Sequence, residues 1–348
     1  MSVAKPRAKQ SGTSGVHLRQ LAVRYGFIAI TVVLFLYFAG TEPSFRQAST
    51  LFSLLKFSSP VAIVGLSVTL TMVVGGLDLS VGAVTGMAVT ISAMVMVFYA
   101  QVGGVAIAAV LVVGALIGVA NAVLIVVLKI PDLLATLGMM FVIMGLKLVP
   151  VDGQSVSSGM ILRDGSMAPG RFTDGFLAID RAKLGPVPLP VIIFVVLTAA
   201  TWFFLMRTRW GRLMYAVGAN PEAARLAGVR VGLYRALAYV LSGVFASIAG
   251  LILASRIGQG DISAGNSLLL DGVAVALVGT SVLGLGRPNA WGTALGAVLM
   301  GILITGLTIK GFPYYGQDVM KGLVLIVALV FSFTLSRRKS RYAQAVEI

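Results

Sequence analysis

Val105–Leu128 reads VAIAAVLVVGALIGVANAVLIVVL, a run with no ionisable side chain and with Asn121 as its clearest polar residue. About 20 apolar residues in a helix cross the hydrocarbon core of a bilayer. A helix also satisfies every backbone polar group internally, which lipid demands. The run therefore predicts a membrane-spanning helix. Similar runs occur on both sides of it. Before it lie Tyr25–Gly40, Phe57–Val74 and Leu79–Tyr99; after it come Leu133–Val149, Leu189–Met206, Arg235–Ala254, Leu270–Leu285, Ala290–Ile309 and Val319–Leu335. The sequence thus predicts an all-α polytopic membrane protein of about ten transmembrane helices. Some are short or broken, Leu270–Leu285 above all.

Composition agrees. Of 348 residues, 58% are hydrophobic and only 11% charged, too little charge for the surface of a soluble domain of this size. The 41 glycines suit helices that pack through small faces. Gly82/Gly86, Gly114/Gly118 and Gly292/Gly296, each pair four residues apart, read as such packing faces. There is no cysteine, which excludes thiol chemistry. The single histidine, His17, lies in the polar N-terminal segment, so a histidine metal site is not expected.

The net charge of +15 is not a nucleic-acid signature, because the charges border apolar runs instead of forming a basic face. They set topology. Lys and Arg concentrate in the N-terminal segment, in Arg207, Arg209, Arg212, Arg225, Arg230 and Arg235, and in Arg337–Arg341. By the positive-inside rule these segments are cytoplasmic, both termini included. The chain divides into a cytoplasmic tail (1–24), a transmembrane domain (25–335) and a second cytoplasmic tail (336–348). The apolar run Tyr25–Gly40 reads as an uncleaved first span. The loop from Pro150 to Pro188 balances Arg163, Arg171, Arg181 and Lys183 against Asp152, Asp164, Asp174 and Asp180, and reads as external, with no core of its own. Arg46, Lys56 and Arg256 read as solvated span flanks. Ionisable residues inside spans are nearly absent on this reading, which argues against an ion-coupled carrier. Asp271 and Lys321 lie near span ends. Tyr314 and Tyr315 suit an interfacial belt.

Two stretches carry finer information. In Ala216-Val-Gly-Ala-Asn220-Pro221-Glu222-Ala223-Ala224-Arg225-Leu-Ala-Gly228-Val, Asn220 is an N-cap and Pro221 suits the first helical position. Glu222 meets the positive end of the helix dipole and Gly228 can take the left-handed conformation that ends a helix. A two-turn helix is written into the basic loop. It is either a docking helix for a partner or a capped surface helix; capping alone does not separate the two. In Gly75-Gly76-Leu77-Asp78-Leu79-Ser80-Val81-Gly82, paired glycines weaken a helix and Asp78 or Ser80 can cap the next. Asp78 itself reads as a carboxylate cap. Backbone groups left free at such a helix end suit a small polar solute. Asn121 either faces a solute path or hydrogen-bonds between helices.

The segment around Asn220–Gly228 resembles the cytoplasmic coupling motif of the membrane permeases of ribose/xylose/arabinose/galactose-type bacterial ABC sugar importers, within the branched-chain amino acid permease superfamily. Gly75–Gly82 resembles that family's hallmark between its second and third spans. Asn121-Ala-Val-Leu-Ile with Ile130-Pro131-Asp132-Leu-Leu-Ala-Thr136-Leu-Gly138 resembles its fourth-to-fifth span junction. Ser242-Gly243, Ala249-Gly250 and Leu270–Ser281 resemble its C-terminal half. The resemblance runs from about Leu51 to Leu335. It departs at Asp132, where the family usually has a proline or another uncharged residue, and at Gly284–Pro288, which is less glycine-rich.

The resemblance implies a transport subunit without catalytic or metal-binding residues. Asn220, Pro221, Glu222, Ala223, Ala224, Arg225 and Gly228 would couple it to an ATPase. Gly75, Gly76, Asp78, Ser80, Asn121 and Thr136 would be candidates for the solute path. No phosphate-binding Gly-x-x-x-x-Gly-Lys-Ser/Thr loop occurs in the chain, so no cofactor is expected on it; ATP and Mg would bind separate ABC ATPase subunits. The remaining implied partners are a periplasmic sugar-binding protein, a second permease chain (identical or paralogous), the lipid bilayer and a small sugar, with no nucleic acid. A permease for branched-chain amino acids or nucleosides, and an ATP-independent carrier or channel, are the alternatives.

Overall fold

The computed structural model describes residues 13–162, 164–282, 287–324 and 326, with side chains from residue 26 onward except that of Ser281. Helix α1 spans Thr13–Thr41 and α2 spans Ala48–Val73. Helix α3 (Val81–Ala93) and α4 (Gly103–Ala122) each end in a wider π-helical turn, Met94–Phe98 and Val123–Val127. Then follow α5 (Asp132–Leu146), α6 (Asp174–Arg181), a hairpin of β1 (Lys183–Leu184) with β2 (Val187–Pro188), and α7 (Leu189–Arg207). The chain continues as α8 (Arg209–Ala219), α9 (Pro221–Leu226), α10 (Val231–Ile257), α11 (Leu268–Ser281) and α12 (Ala290–Ile309).

Among the described residues, seven helices are long and apolar enough to cross a membrane, and Gly26–Thr41 and Leu268–Thr280 are shorter apolar helices. All nine coincide with predicted spans, and the helix at Leu268–Ser281 is short, as expected. Residues 314–324 are helical. Most of the predicted tenth span, Val319–Leu335, lies outside the described residues, as do Arg163, Gly284–Gly286 and the C-terminal tail at 336–348. The first helix begins at Thr13, inside the segment read as a polar tail.

Helix α10 is the hub, packed against α2, α3 and α4. Glycines make this possible. A Cβ on Gly114 or Gly118 of α4 would collide with the backbone of Gly243 or Tyr239 on α10. A Cβ on Gly250 would strike the Thr85 carbonyl and the Ala88 side chain on α3. Helix contacts this close rest on dispersion between backbones, the main attraction left where lipid tails are as apolar as leucine.

Pro60 lies inside α2. Without an N–H it cannot bond the carbonyl of Lys56, one turn back. Arg256 Nη2, at the far end of α10, donates to that carbonyl at 2.7 Å. The same guanidinium donates through Nε to Asp180 at 3.1 Å, and Lys56 Nζ meets Asp180 at 2.7 Å. Lys56 and Arg256 are therefore not solvated flanks: both hold a carboxylate that is only 5% exposed. The loop between α5 and α7 is likewise more than a polar connection. Val151, Val156, Ala168, Phe172 and Phe176 bury themselves in one cluster with the ends of α3, α4 and α10. It has no core of its own, as expected, but it completes that of the helices.

A second expectation also falls. Lys147 lies in a predicted span, is 2% exposed, and its Nζ has no hydrogen-bond partner among the described residues. With Asp78 and Asp180, it makes the interior more charged than the hydropathy pattern implies. Asp271 and Lys321 meet at 3.5 Å.

Candidate functional site

Helix α2 ends where Gly75 turns left-handed, with φ +78°, and Gly75 and Gly76 return their N–H groups to the carbonyls of Met72 and Thr71. A glycine at this position ends a helix without steric cost. The chain then crosses to α3 through Leu77–Ser80, deep in the protein: Asp78 is 1% exposed.

Three donors hold Asp78. Ser80 N (2.9 Å) and Ser80 Oγ (2.6 Å) both reach Oδ1, and Ser242 Oγ of α10 reaches Oδ2 at 2.8 Å. The expected helix cap takes a different form. Asp78 accepts the N–H of Ser80, the residue before α3, in a tight Asx-type turn. Ser80 occupies the N-cap position but caps nothing with its side chain. Its hydroxyl instead donates to Asp78 and accepts from Asn121 Nδ2 at 2.9 Å. Asn121 thus bonds between helices, while its Oδ1 is buried with no partner among the described residues. Ser67 on α2 closes the network, donating to the Ser242 carbonyl at 2.9 Å and lying 2.8 Å from its hydroxyl. Thr136 joins from α5: its hydroxyl accepts from Leu79 N at 3.2 Å and lies 3.3 Å from the Leu77 carbonyl. The predicted path residues Asp78, Ser80, Asn121 and Thr136 therefore surround one segment, with Gly75 and Gly76 at its entrance. A separate cavity of about 120 Å³, lined among others by Ser58, Asp271 and Thr305, touches none of them.

Gly76 is pressed against a second cluster. A Cβ there would collide with Asp132 Oδ2 and Tyr239 Oη. Asp132 opens α5, where its charge suits the helix dipole. It pairs with Arg235 at 2.5 Å and accepts from the Tyr239 hydroxyl at 2.7 Å. The sequence marked Asp132 only as a departure from the family pattern. Arg235 and Tyr239, four apart on α10, share a helix face, a spacing that could have nominated them once Asp132 needed a counter-charge.

The loop between α7 and α10 contains two helices. The capping prediction holds for α9: Asn220 Oδ1 accepts from Ala223 N at 3.0 Å, Pro221 stands at the first position, and Gly228 has φ +80°. Glu222 and Arg225 form an exposed pair at 3.4 Å, Ala224 is buried, and Leu226 is 90% exposed. Helix α8 is not among the predicted elements, although Trp210, Met214 and Val217 recur at helical spacing. Thr208 caps it by accepting from Gly211 N at 3.2 Å. Met214 and Val217 bury against Leu70, Val73 and Val74 at the end of α2. Tyr215 donates to the Pro288 carbonyl at 2.6 Å, and burial pushes its phenol up to about 12. Gly218 sits directly on the Val73 carbonyl and Gly75 N. The exposed helix is thus one backbone contact away from the buried polar segment.

Residues 50–329 match the family described as branched-chain amino acid transport system / permease component. The chain is 33% identical over 294 residues to the ribose import permease protein RbsC of Escherichia coli K12, covering 83% of this chain and 87% of that protein. It is 32% identical over 308 residues to the autoinducer 2 import system permease protein LsrD of Klebsiella pneumoniae, covering 87% and 89%. Against the galactose/methyl galactoside import permease protein MglC of Escherichia coli K12 the identity is 30% over 328 residues, covering 90% and 95%. No solved structure matches the chain.

Proposed function

The chain belongs to the branched-chain amino acid transport system permease family, a multi-pass membrane protein of the transport-permease kind, and from that membership we propose that it is the membrane-spanning subunit of an ATP-binding cassette importer for a monosaccharide or similar small polar solute. The observation that carries this reading is the loop between α7 and α10. It presents a capped, exposed helix with an apolar tip, Leu226, and just before that helix touches Val73 and Gly75 through Gly218. A permease without a phosphate-binding loop needs such a part to receive work from a separate ATPase. Import permeases for ribose, galactose and autoinducer 2 among its relatives favour a sugar.

In this account, two ATPase subunits hold ATP and Mg and close on nucleotide binding. Their movement reaches α9 and α8, and through Gly218 the turn at Gly75. A periplasmic binding protein delivers the sugar, and a second permease chain supplies the other wall of the path. Both termini and the α8–α9 loop face the cytoplasm. Asp78, Ser80, Asn121 and Thr136, with the backbone between them, offer acceptors and donors matched to hydroxyls.

Gentle purification from the native membrane tests this. A co-purifying Walker-motif ATPase, stimulated by one sugar-binding protein, is the expected result. Gradient-driven uptake by the chain alone in liposomes would replace the proposal with a self-sufficient carrier. Competition of uptake by ribose, galactose, leucine and adenosine then sorts the solute class.

A further inference from the structure

The Asp132 cluster has a position and a chemistry that the coupling account leaves unused. Helix α5 begins there, and its first turn reaches in two directions. Asp132 binds Arg235 and Tyr239 on α10, while Thr136, one turn on, bonds the backbone of Leu77 and Leu79. Gly76 lies beneath, its lack of a side chain leaving room for the carboxylate and phenol to meet. The cluster therefore closes over the entrance to the Leu77–Ser80 segment, at the end of the molecule that carries α8 and α9.

Its chemistry suits opening better than permanent stapling. The side chains of Arg235 and Asp132 remain 30% and 15% exposed, so water can take over their hydrogen bonds when they part. Tyr239, by contrast, is fully buried and stays fixed on α10 as the seat. Arg235 Nε is buried with no partner among the described residues, so the guanidinium is only partly used in this conformation. Arg235 also stands in the first turns of α10, directly after the loop bearing α8 and α9.

We propose that Asp132, Arg235 and Tyr239 form the inner closure of the solute path, a clasp between α5 and α10 that parts when the α8–α9 loop is displaced. This rests on the permease reading above. Asp132 and Arg235 are then positioning residues: they hold α5 over Leu77–Ser80 and do not bind solute.

The cysteine-free chain allows a direct test. A single Leu77→Cys reporter is placed in the otherwise unchanged protein, in inside-out vesicles, and alkylated from the cytoplasmic face with a membrane-impermeant maleimide. Asp132→Asn and Arg235→Gln should each speed alkylation about tenfold without nucleotide, the loss expected of one charge-assisted hydrogen bond. The charge swap Asp132→Arg with Arg235→Asp should restore protection. Unchanged alkylation in both single variants would overturn the clasp. So would a swap as reactive as the singles while its thermal midpoint matches the wild type, since that protection would owe nothing to the pair. Faster alkylation in a chain that recruits no ATPase would keep the clasp and remove the importer reading, so the two can fail separately.

Discussion

The loops at 150–188 and 208–230 are both hydrophilic interruptions between apolar helices, yet the helices within them are specified in different ways. The helices of the second are set by local instructions, and α8 is also tied down from a distance, through Met214, Val217 and Gly218 on the end of α2. Thr208 and Asn220 cap their own helices, Pro221 starts one and Gly228 ends it. The first is held from a distance: Asp180 is fixed by Lys56 on α2 and Arg256 on α10, and Phe172 and Phe176 lie in a core made by other helices. A locally folded loop can move as a body and keep its shape. A loop held by remote pairs is part of whatever those pairs join. That contrast suits a coupling element on one face and a fixed cover on the other.

Breaking the cover should do the most damage. Asp180→Ala leaves two cations without their carboxylate in a nearly buried site, a loss of about 3–5 kcal/mol. The thermal midpoint in detergent should fall sharply, with hydrogen exchange rising first across 150–188. Exchange confined to α6 would mean that the loop stands on its own. Next comes the joint of the other loop. Gly218→Val drives a side chain into the Val73 carbonyl, and overpacking of this kind costs about 1–3 kcal/mol. The α8 helix should survive by circular dichroism while transport fails, which separates shape from connection.

A smaller effect belongs to the cap. Asn220→Ala should cost about 1 kcal/mol, and Asn220→Gly only a few tenths. Exchange should rise in 221–226 and nowhere in 150–188; a rise in both would erase the contrast. Least of all, Glu222→Gln loosens an exposed pair worth about 0–1 kcal/mol. The thermal midpoint should hardly move, whereas Glu222→Lys with Gly228→Val should abolish uptake with insertion intact.

What was legible in the sequence follows the same division. Periodicity and run length are local, so nine spans could be read, and the cap, proline and terminal glycine of α9 could be named residue by residue. The polar segment at Gly75–Ser80 was legible as a place. Its wiring was not, because Ser67, Ser242 and Thr136 approach it from three other helices. Asp180 and Arg256 read as loop and flank charges for the same reason: their partners are remote in the chain. The release of the Lys56 carbonyl by Pro60 was in the sequence, but the arginine that takes it was not locatable there. Lys147 shows the limit of hydropathy itself, since one cation scarcely lowers the average of a span.

On this reading α9 is the place where an ATPase engages the chain. A Leu226→Cys variant puts a thiol at the tip of α9, at a position 90% exposed in a chain with no other cysteine. It can be cross-linked in native membranes that perform sugar uptake. The expected result is a covalent adduct with a Walker-motif ATPase, identified by its mass, and inhibited uptake after cross-linking. Membranes that transport normally while the introduced thiol reacts with free maleimide, but never with an ATPase, would contradict it.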